Sequence, residues 1–296
     1  MKYTFMKNYG KKFSVERMSC VFQVSRSGYY RFITNKPSLR LIENTRLLEE
    51  IKVIHHANRQ VYGSPRIHAE LWLQGETCSR KRVAKLMRQE GLHAKMKKRF
   101  KITTQVEPLS KKAPNLLQQN FTSDKPNQRW VADITYVSTA EGWLYVAAVL
   151  DLFSRRIVGL AMSERITADL VKSALKHAIT HRQPDEGLIH HSDKGSQYTS
   201  YVFQKELARN NMISSMSGTG NCYDNAAMES FFHTLKTEHI YFESYKTRDQ
   251  AKRSIFEYVE VFYNRKRSHS TLGYLSPMVF ETKWQKQQNV LLPSVH

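Results

Sequence analysis

A change of hydrophobic period near residue 128 constrains this chain more than any other feature. Before that point apolar residues recur at helical spacing, and after it three strand-like runs follow in quick succession. The run Arg129–Val137 is rich in Trp, Val, Ile, Thr and Tyr. Ala140-Glu141-Gly142 reads as a turn, and Trp143–Asp151 is apolar almost throughout, the pattern of a strand covered on both faces. Phe153-Ser154-Arg155 turns the chain into a third run, Arg156–Met162. A meander with a doubly covered centre needs helices on both sides. The pattern supplies them at Ala168–Thr180, Ser200–Asn210, Asp224–Glu238 and Thr247–Asn264, with short strands at Leu188–His191 and Ile213–Met216.

This order, βββαβαβα, predicts an α/β fold: a ribonuclease-H-like mixed five-stranded sheet with helices on both faces. An all-α, helix-turn-helix region precedes it. Val15–Phe22 has apolar residues at helical spacing, and Val24–Tyr30 supplies a turn and a second start, with Ser25 or Ser27 as cap. A second helical unit follows. Helices are expected over Thr45–Ala57, Pro65–Gln74 and Ser79–Glu90, the last stopped by Gly91. In that last helix Val83, Leu86 and Met87 form an apolar seam ringed by Arg80, Lys81, Arg82, Lys85 and Arg88, a face suited to DNA phosphates. Lys97, Lys98 and Arg99 extend the charge. The expected organisation is a small helix-turn-helix-like segment over 1–40 and a basic helix-turn-helix DNA-binding domain over 41–100. A linker over 101–125 leads to the core over 126–240, and a C-terminal helix with a basic tail over 241–296 completes it.

Charge agrees with that division. The chain carries 46 Lys+Arg against 26 Asp+Glu, a net +20. Residues 1–125 hold 26 basic against 9 acidic residues, a net +17, and the remainder 20 against 17, a net +3. A basic region so concentrated is the footprint of a polyanion such as double-stranded DNA. Cys20, Cys78 and Cys222 are far apart and match no zinc-ligand spacing, as expected of free thiols in a reducing compartment. No apolar run approaches the ~18 residues of a membrane span, so a cytoplasmic, nucleoid-associated protein with no membrane partner is expected.

Three carboxylates stand out. Asp133 interrupts an otherwise uncharged strand, where a carboxylate is costly unless paired, exposed or metal-bound. Asp193 follows a short strand, at the end where open α/β sheets place their chemistry. Glu229 falls about one turn into a helix that Asp224 or Asn225 can cap, and Lys236, seven residues on, shares its face. Each has an ordinary structural reading alone: a salt-bridge partner, a turn Asp, a surface Glu. Together, two strand-associated Asp and one helical Glu form the hard-oxygen donor set that two Mg²⁺ ions need for phosphoryl transfer. Arg265-Lys266-Arg267 after the last predicted helix is either a DNA contact or a solvated helix end.

Several segments resemble one family throughout. They are Trp130–Thr135, Asp151–Arg155, His191–Tyr198, Asp224–Ser230 and Tyr263–Pro277, with 35 residues between Asp193 and Glu229. They are similar to the DDE core of retroviral-type integrases and of insertion-sequence-three family transposases, OrfB type. Tyr62–Ile67, with Arg66, resembles the helix-turn-helix module upstream of such cores. The resemblance implies a DNA transposase that binds element ends and performs Mg²⁺-dependent cleavage and strand transfer, with Mn²⁺ as a substitute ion. Asp133, Asp193 and Glu229 would be the catalytic metal ligands, and Lys236 a DNA contact. It also implies a homo-oligomer assembled on DNA and an upstream OrfA-type protein or frameshift fusion. The chain lacks the His/Cys zinc module of retroviral integrases and shows no leucine zipper. A ribonuclease-H-type nuclease and a non-catalytic DNA-binding regulator derived from a transposase are the alternatives.

Overall fold

The computed structural model describes residues 1–34, 37–96, 113–218 and 222–291. Lys97, Lys98, Arg99 and most of the expected linker lie outside the described residues. Three short helices open the chain: α1 (Lys2–Tyr9), α2 (Val15–Phe22) and α3 (Arg26–Thr34). They close on a small core of Met6, Met18 and Tyr29. Helix α1 escaped the sequence reading because Met6 is its one buried residue, so it carries almost no apolar stripe. Helix α4 (Leu39–Ala57) starts earlier than expected because Ser38 caps it, its Oγ accepting from Leu41 N at 3.2 Å. Helices α5 (Ser64–Leu73) and α6 (Arg80–Gln89) follow, the latter with the expected buried seam of Val83, Leu86 and Met87.

Five strands make one sheet: β1 (Arg129–Thr139), β2 (Gly142–Asp151), β3 (Ile157–Ser163), β4 (Ile189–Ser192) and β5 (Ile213–Met216), in the order β3-β2-β1-β4-β5. The meander is antiparallel, while β4 and β5 join it in parallel. This is the ribonuclease-H-like sheet expected from the pattern. Helices α7 (Ala168–Arg182) and α9 (Tyr201–Arg209) cover one face, with α8 (Ser196–Thr199) leading into α9. The α7 backbone sits so close to β3 that a Cβ on Gly159 would lie 2.2 Å from Ala174 O. The other face carries α10 (Ala226–Glu238) and α11 (Arg248–Glu257), the latter continuing as a π-helical stretch, Tyr258–Tyr263.

The helical region and the sheet share one core. Ile51, Tyr62, Ile67 and Val83 belong to the same buried cluster as Val146, Phe231, Leu235 and Tyr258. A polar joint reinforces it. Arg267 is 4% exposed and donates to both oxygens of Glu238, through Nε and Nη2, each at 2.7 Å. Tyr258 Oη donates to Glu238 at 3.0 Å, and Arg66 Nη1 reaches it at 3.3 Å from α5. Burial raises the Glu238 carboxyl, but Arg267, Arg66 and Tyr258 together outweigh that and leave it below its ordinary value. Ser268 N donates to Tyr62 Oη at 2.5 Å, and Arg59 pairs with Glu257.

The C-terminal segment adds a helix the sequence reading lacked, α12 (Pro277–Leu291). It carries Glu281 against Ser154, Arg156 and Arg182, and Arg182 also reaches the fully buried Asp151 at 3.3 Å. Asp151, part of one of the family-like segments, is therefore a structural anchor. Breaking a buried ion pair leaves an unpaired charge and costs about 3–5 kcal/mol, whereas an exposed pair contributes about 0–1 kcal/mol. Glu238→Ala should therefore lower stability by about 3–5 kcal/mol in urea unfolding, and Glu49→Ala, which loses only the exposed 3.0 Å pair with Lys52, by under about 1 kcal/mol. Equal losses for the two would show that the joint carries no special weight.

Candidate active site

Strand pairing brings the first two carboxylates together. In the β1–β4 register Val131 lies opposite His191. Two residues further along each parallel chain stand Asp133 and Asp193, so they leave adjacent strands at the same level. Asp133 shares the strand face of Val131, whose side chain packs in the cluster beneath α10. Its Oδ1 accepts from Ile134 N at 2.7 Å. Asp193 begins the loop after β4, where its Oδ1 accepts from Gly195 N at 3.0 Å. The strand beneath is braced: buried His191 bonds Ser215 Oγ through Nδ1 at 2.9 Å and Ser217 Oγ through Nε2 at 3.1 Å. Burial lowers its pKa to about 4, so it stays neutral.

Glu229 comes from the first turn of α10, on an exposed position. Asn225 stands at the N-cap but makes no side-chain cap bond. Asn225 Nδ2 instead donates 3.2 Å to Ala132 O, the residue before Asp133, and so pins the start of α10 to β1. Asp224 Oδ2 accepts from Gly218 N at 2.7 Å, tying the same turn to the end of β5. The sequence signal for Asn225 was its place just before the helix, but a cap and a cross-strand tie look alike in sequence.

The electrostatics show Asp193 and Glu229 acting on Asp133. Enclosure by protein, then the Asp193 charge, then that of Glu229 push Asp133 up to about 7, against the Ile134 amide and Lys236. Enclosure also raises Asp193 and Glu229. Lys236 is half-buried, with Nζ 4.9 Å from the Tyr136 ring centre. Burial lowers its pKa while Tyr136 and Asp133 work to raise it. Lys236 thus acts on Asp133 from two helical turns beyond Glu229. Behind the site, fully enclosed Tyr198 has its hydroxyl pKa raised by burial and by Asp133 and Asp193. The three candidates are all oxygen donors, and Asp133 feels the charge of the other two, which suits a hard divalent cation. Among the described residues, however, no three or more His, Cys, Asp or Glu side chains are grouped closely enough to hold a metal ion.

The expected DNA contacts divide by environment. Arg80, Lys81 and Lys85 are exposed on α6 with no carboxylate partner among the described residues, and Arg265 and Lys266 are exposed. Arg82 donates to Asn44 at 2.8 Å and braces α6 against α4. Arg66 is held over the Tyr62 ring at 5.5 Å and by Glu238. Arg267 is corrected outright: buried and forked onto Glu238, it has no surface to offer DNA.

Residues 123–222 and 229–284 match the family pattern Integrase core domain, and residues 43–100 match that of an HTH-like domain, so this is an integrase-type core behind a helix-turn-helix-like module. A 31 kDa protein of insertion element IS600 from Shigella sonnei is 46% identical over 269 residues, covering 91% of this chain and 99% of that protein. The transposase InsF of insertion sequence IS3A from Escherichia coli K12 is 41% identical over 291 residues, 96% of this chain and 99% of InsF. The chain belongs to the IS3 family of insertion-sequence transposases. Among solved structures, a chain of the simian T-cell lymphotropic virus intasome aligns at 18% identity and a TM-score of 0.46, over 72% of this chain and 69% of that one.

A carboxyl whose folded pKa lies above its unfolded value binds its proton more tightly when folded. Its contribution to stability is therefore lost as pH rises from 3.8 towards about 7. In chelator, Asp133→Asn should melt higher than the parent at pH 8, with the gap closing as pH falls towards 4. Calorimetric melting across that range checks this, and a gap independent of pH would contradict it.

Proposed function

We propose that this transposase binds the ends of its element and catalyses Mg²⁺-dependent DNA cleavage and strand transfer. Asp133, Asp193 and Glu229 are the ligands of two Mg²⁺ ions, for which Mn²⁺ can substitute. The observation that carries the reading is the enclosure of Asp133 on β1 beside the charges of Asp193 from the β4 loop and Glu229 from α10, which together push it up to about 7. A divalent cation held by these oxygens would offset both the enclosure and the repulsion.

When bound, the ions supply Lewis-acid stabilisation of charge developing on phosphoryl oxygens. The chain's own groups do the positioning. Asp133 is fixed by its strand and Asp193 by the Gly195 amide. Glu229 lies exposed at the surface of α10, where a DNA strand can reach it. Lys236, steadied over Tyr136, can meet a phosphate beside the carboxylates. The exposed cations Arg80, Lys81 and Lys85 on α6 offer phosphate contacts to duplex DNA, and Arg265 and Lys266 extend that surface. In this reading residues 41–100 bind DNA, 126–240 form the catalytic core and 241–296 complete it. Assembly as a homo-oligomer on DNA, with or without an OrfA-type partner, belongs to the same proposal.

The test is activity on labelled terminal DNA with Mg²⁺. Asp133→Asn, Asp193→Asn and Glu229→Gln should each reduce cleavage and joining at least about 100-fold, since even the partners of metal ligands cost 10–100-fold. Duplex binding should stay within about twofold, because none of the three contacts DNA by charge attraction. Near-parental activity in any one removes that residue from the site. Cleavage without joining would make the enzyme a nuclease, and binding without either a regulator.

A further inference from the structure

The Integrase core and HTH-like patterns begin at residue 43, which leaves the lobe α1–α3 without a role. This lobe has its own core, Met6, Met18 and Tyr29, distinct from the main one. Its two last helices have the helix-turn-helix form. Helix α2 has eight residues, the turn is Gln23-Val24-Ser25, and α3 has nine. The chain reverses at Gln23, which takes the left-handed conformation at φ 51°, while Val24 N closes on Ser19 O at 3.0 Å. Ser25 caps α3, its Oγ accepting from Gly28 N at 3.0 Å. Gly28 allows α1 to approach: a Cβ there would lie 2.3 Å from Tyr3 Oη.

The surface of the lobe is one-sided in charge. Residues 1–34 contain seven Lys or Arg and one acid, Glu16. Glu16 is already paired with Arg26 at 3.1 Å, a contact that also links the starts of α2 and α3. Lys7, Lys11, Lys12, Arg17 and Arg31 are exposed with no carboxylate partner among the described residues. On α3 the spacing i, i+3, i+4 places Ser27, Tyr30 and Arg31 on one face, and all three are exposed, Tyr30 at 56%. Tyr29 points the other way, into the core. A hydroxyl, a phenol and a guanidinium on one face of the second helix, with Lys7 on α1 and Lys11 and Lys12 in the turn after it, match the way such helices enter a major groove beside phosphate contacts. A protein partner would have to be strongly acidic to cover this surface, whereas duplex DNA is uniformly so.

We infer that α1–α3 is a second duplex-DNA reader, in which Ser27, Tyr30 and Arg31 contact base edges and the lysines of α1 and the α1–α2 turn contact phosphates. The inference rests on the reading of the chain as a DNA-end-binding transposase and adds a site to it. Each chain then grips DNA at two separate places, one through α3 and one through α6.

The experiment is selection of binding sites by the full-length chain from a duplex with a randomised centre, followed by affinity measurement on the selected duplex. The parent should select two separated sequence blocks. Tyr30→Ala/Arg31→Ala, which alters only exposed side chains, should lose one block and bind the selected duplex at least about tenfold more weakly. Arg31→Lys keeps the charge but not the fork, and should lose base preference at one position while keeping most of the affinity. Lys81→Ala/Lys85→Ala should weaken binding to all sequences and leave the α3 block intact. A single block in the parent, or two blocks unchanged in Tyr30→Ala/Arg31→Ala, overturns the second reader while leaving the transposase reading in place. Unchanged blocks with altered sedimentation of that variant would instead assign the lobe to self-association. Failure of the parent to bind any duplex would overturn both readings.

Discussion

Three residue pairs of parallel backbone, Arg129–Val131 against Ile189–His191, set the geometry on which the carboxylate site depends. Parallel strands keep their residues level, so the register that aligns Val131 with His191 also brings Asp133 level with Asp193 just past the strand end. A slip of one residue would turn Asp133 to the other face of the sheet, among the residues under α7 and α9. The Asn225 amide then fixes α10 to the carbonyl next to Asp133, which sets where Glu229 enters. Rigid backbone holds Asp133 enclosed and within reach of the Asp193 and Glu229 charges, and burial first, then those charges, raise its pKa to about 7.

The same helix that begins at the carboxylates ends at the polar joint. Glu238 closes α10, and it holds Arg267 from the C-terminal segment and Arg66 from α5. Tyr62, in the segment preceding α5, is bonded by Ser268. The helical region upstream is therefore packed and hydrogen-bonded onto the integrase-type core, with one continuous apolar core beneath the polar contacts. The exposed cations of α6 thereby belong to the same packed body as α10, which carries Glu229 and Lys236. That coupling is mechanical and local: buried side chains in two halves of the chain share partners.

Much of this was legible in the sequence, and the exceptions have physical causes. The β1–β3 meander declared itself because a strand covered on both faces must be apolar throughout, and Val83, Leu86 and Met87 because an amphipathic helix repeats its seam. The three carboxylates were identified as candidates, while their proximity depended on a register that no local pattern encodes. Helix α12 was missed because the acid that anchors it, Glu281, finds its partners at Ser154, Arg156 and Arg182, more than 90 residues away. Arg267 was misread for the same reason. In the run Arg265-Lys266-Arg267 nothing local separates the two exposed cations from the buried one, and the separation comes from Glu238 across the fold. Asn225 looked like a cap because caps and inter-element ties use the same amide.

The central claim is that Asp133, Asp193 and Glu229 form one divalent-cation site. Crystals of the full chain grown with Mn²⁺, with diffraction collected at the manganese absorption edge, test it most directly. The account predicts anomalous density in contact with carboxylate oxygens of all three residues, at the roughly 2.0–2.2 Å typical of such hard-cation bonds, and its loss in Asp193→Asn. Manganese bound elsewhere, or ordered crystals in which the three carboxylates remain apart with no metal between them, would contradict it.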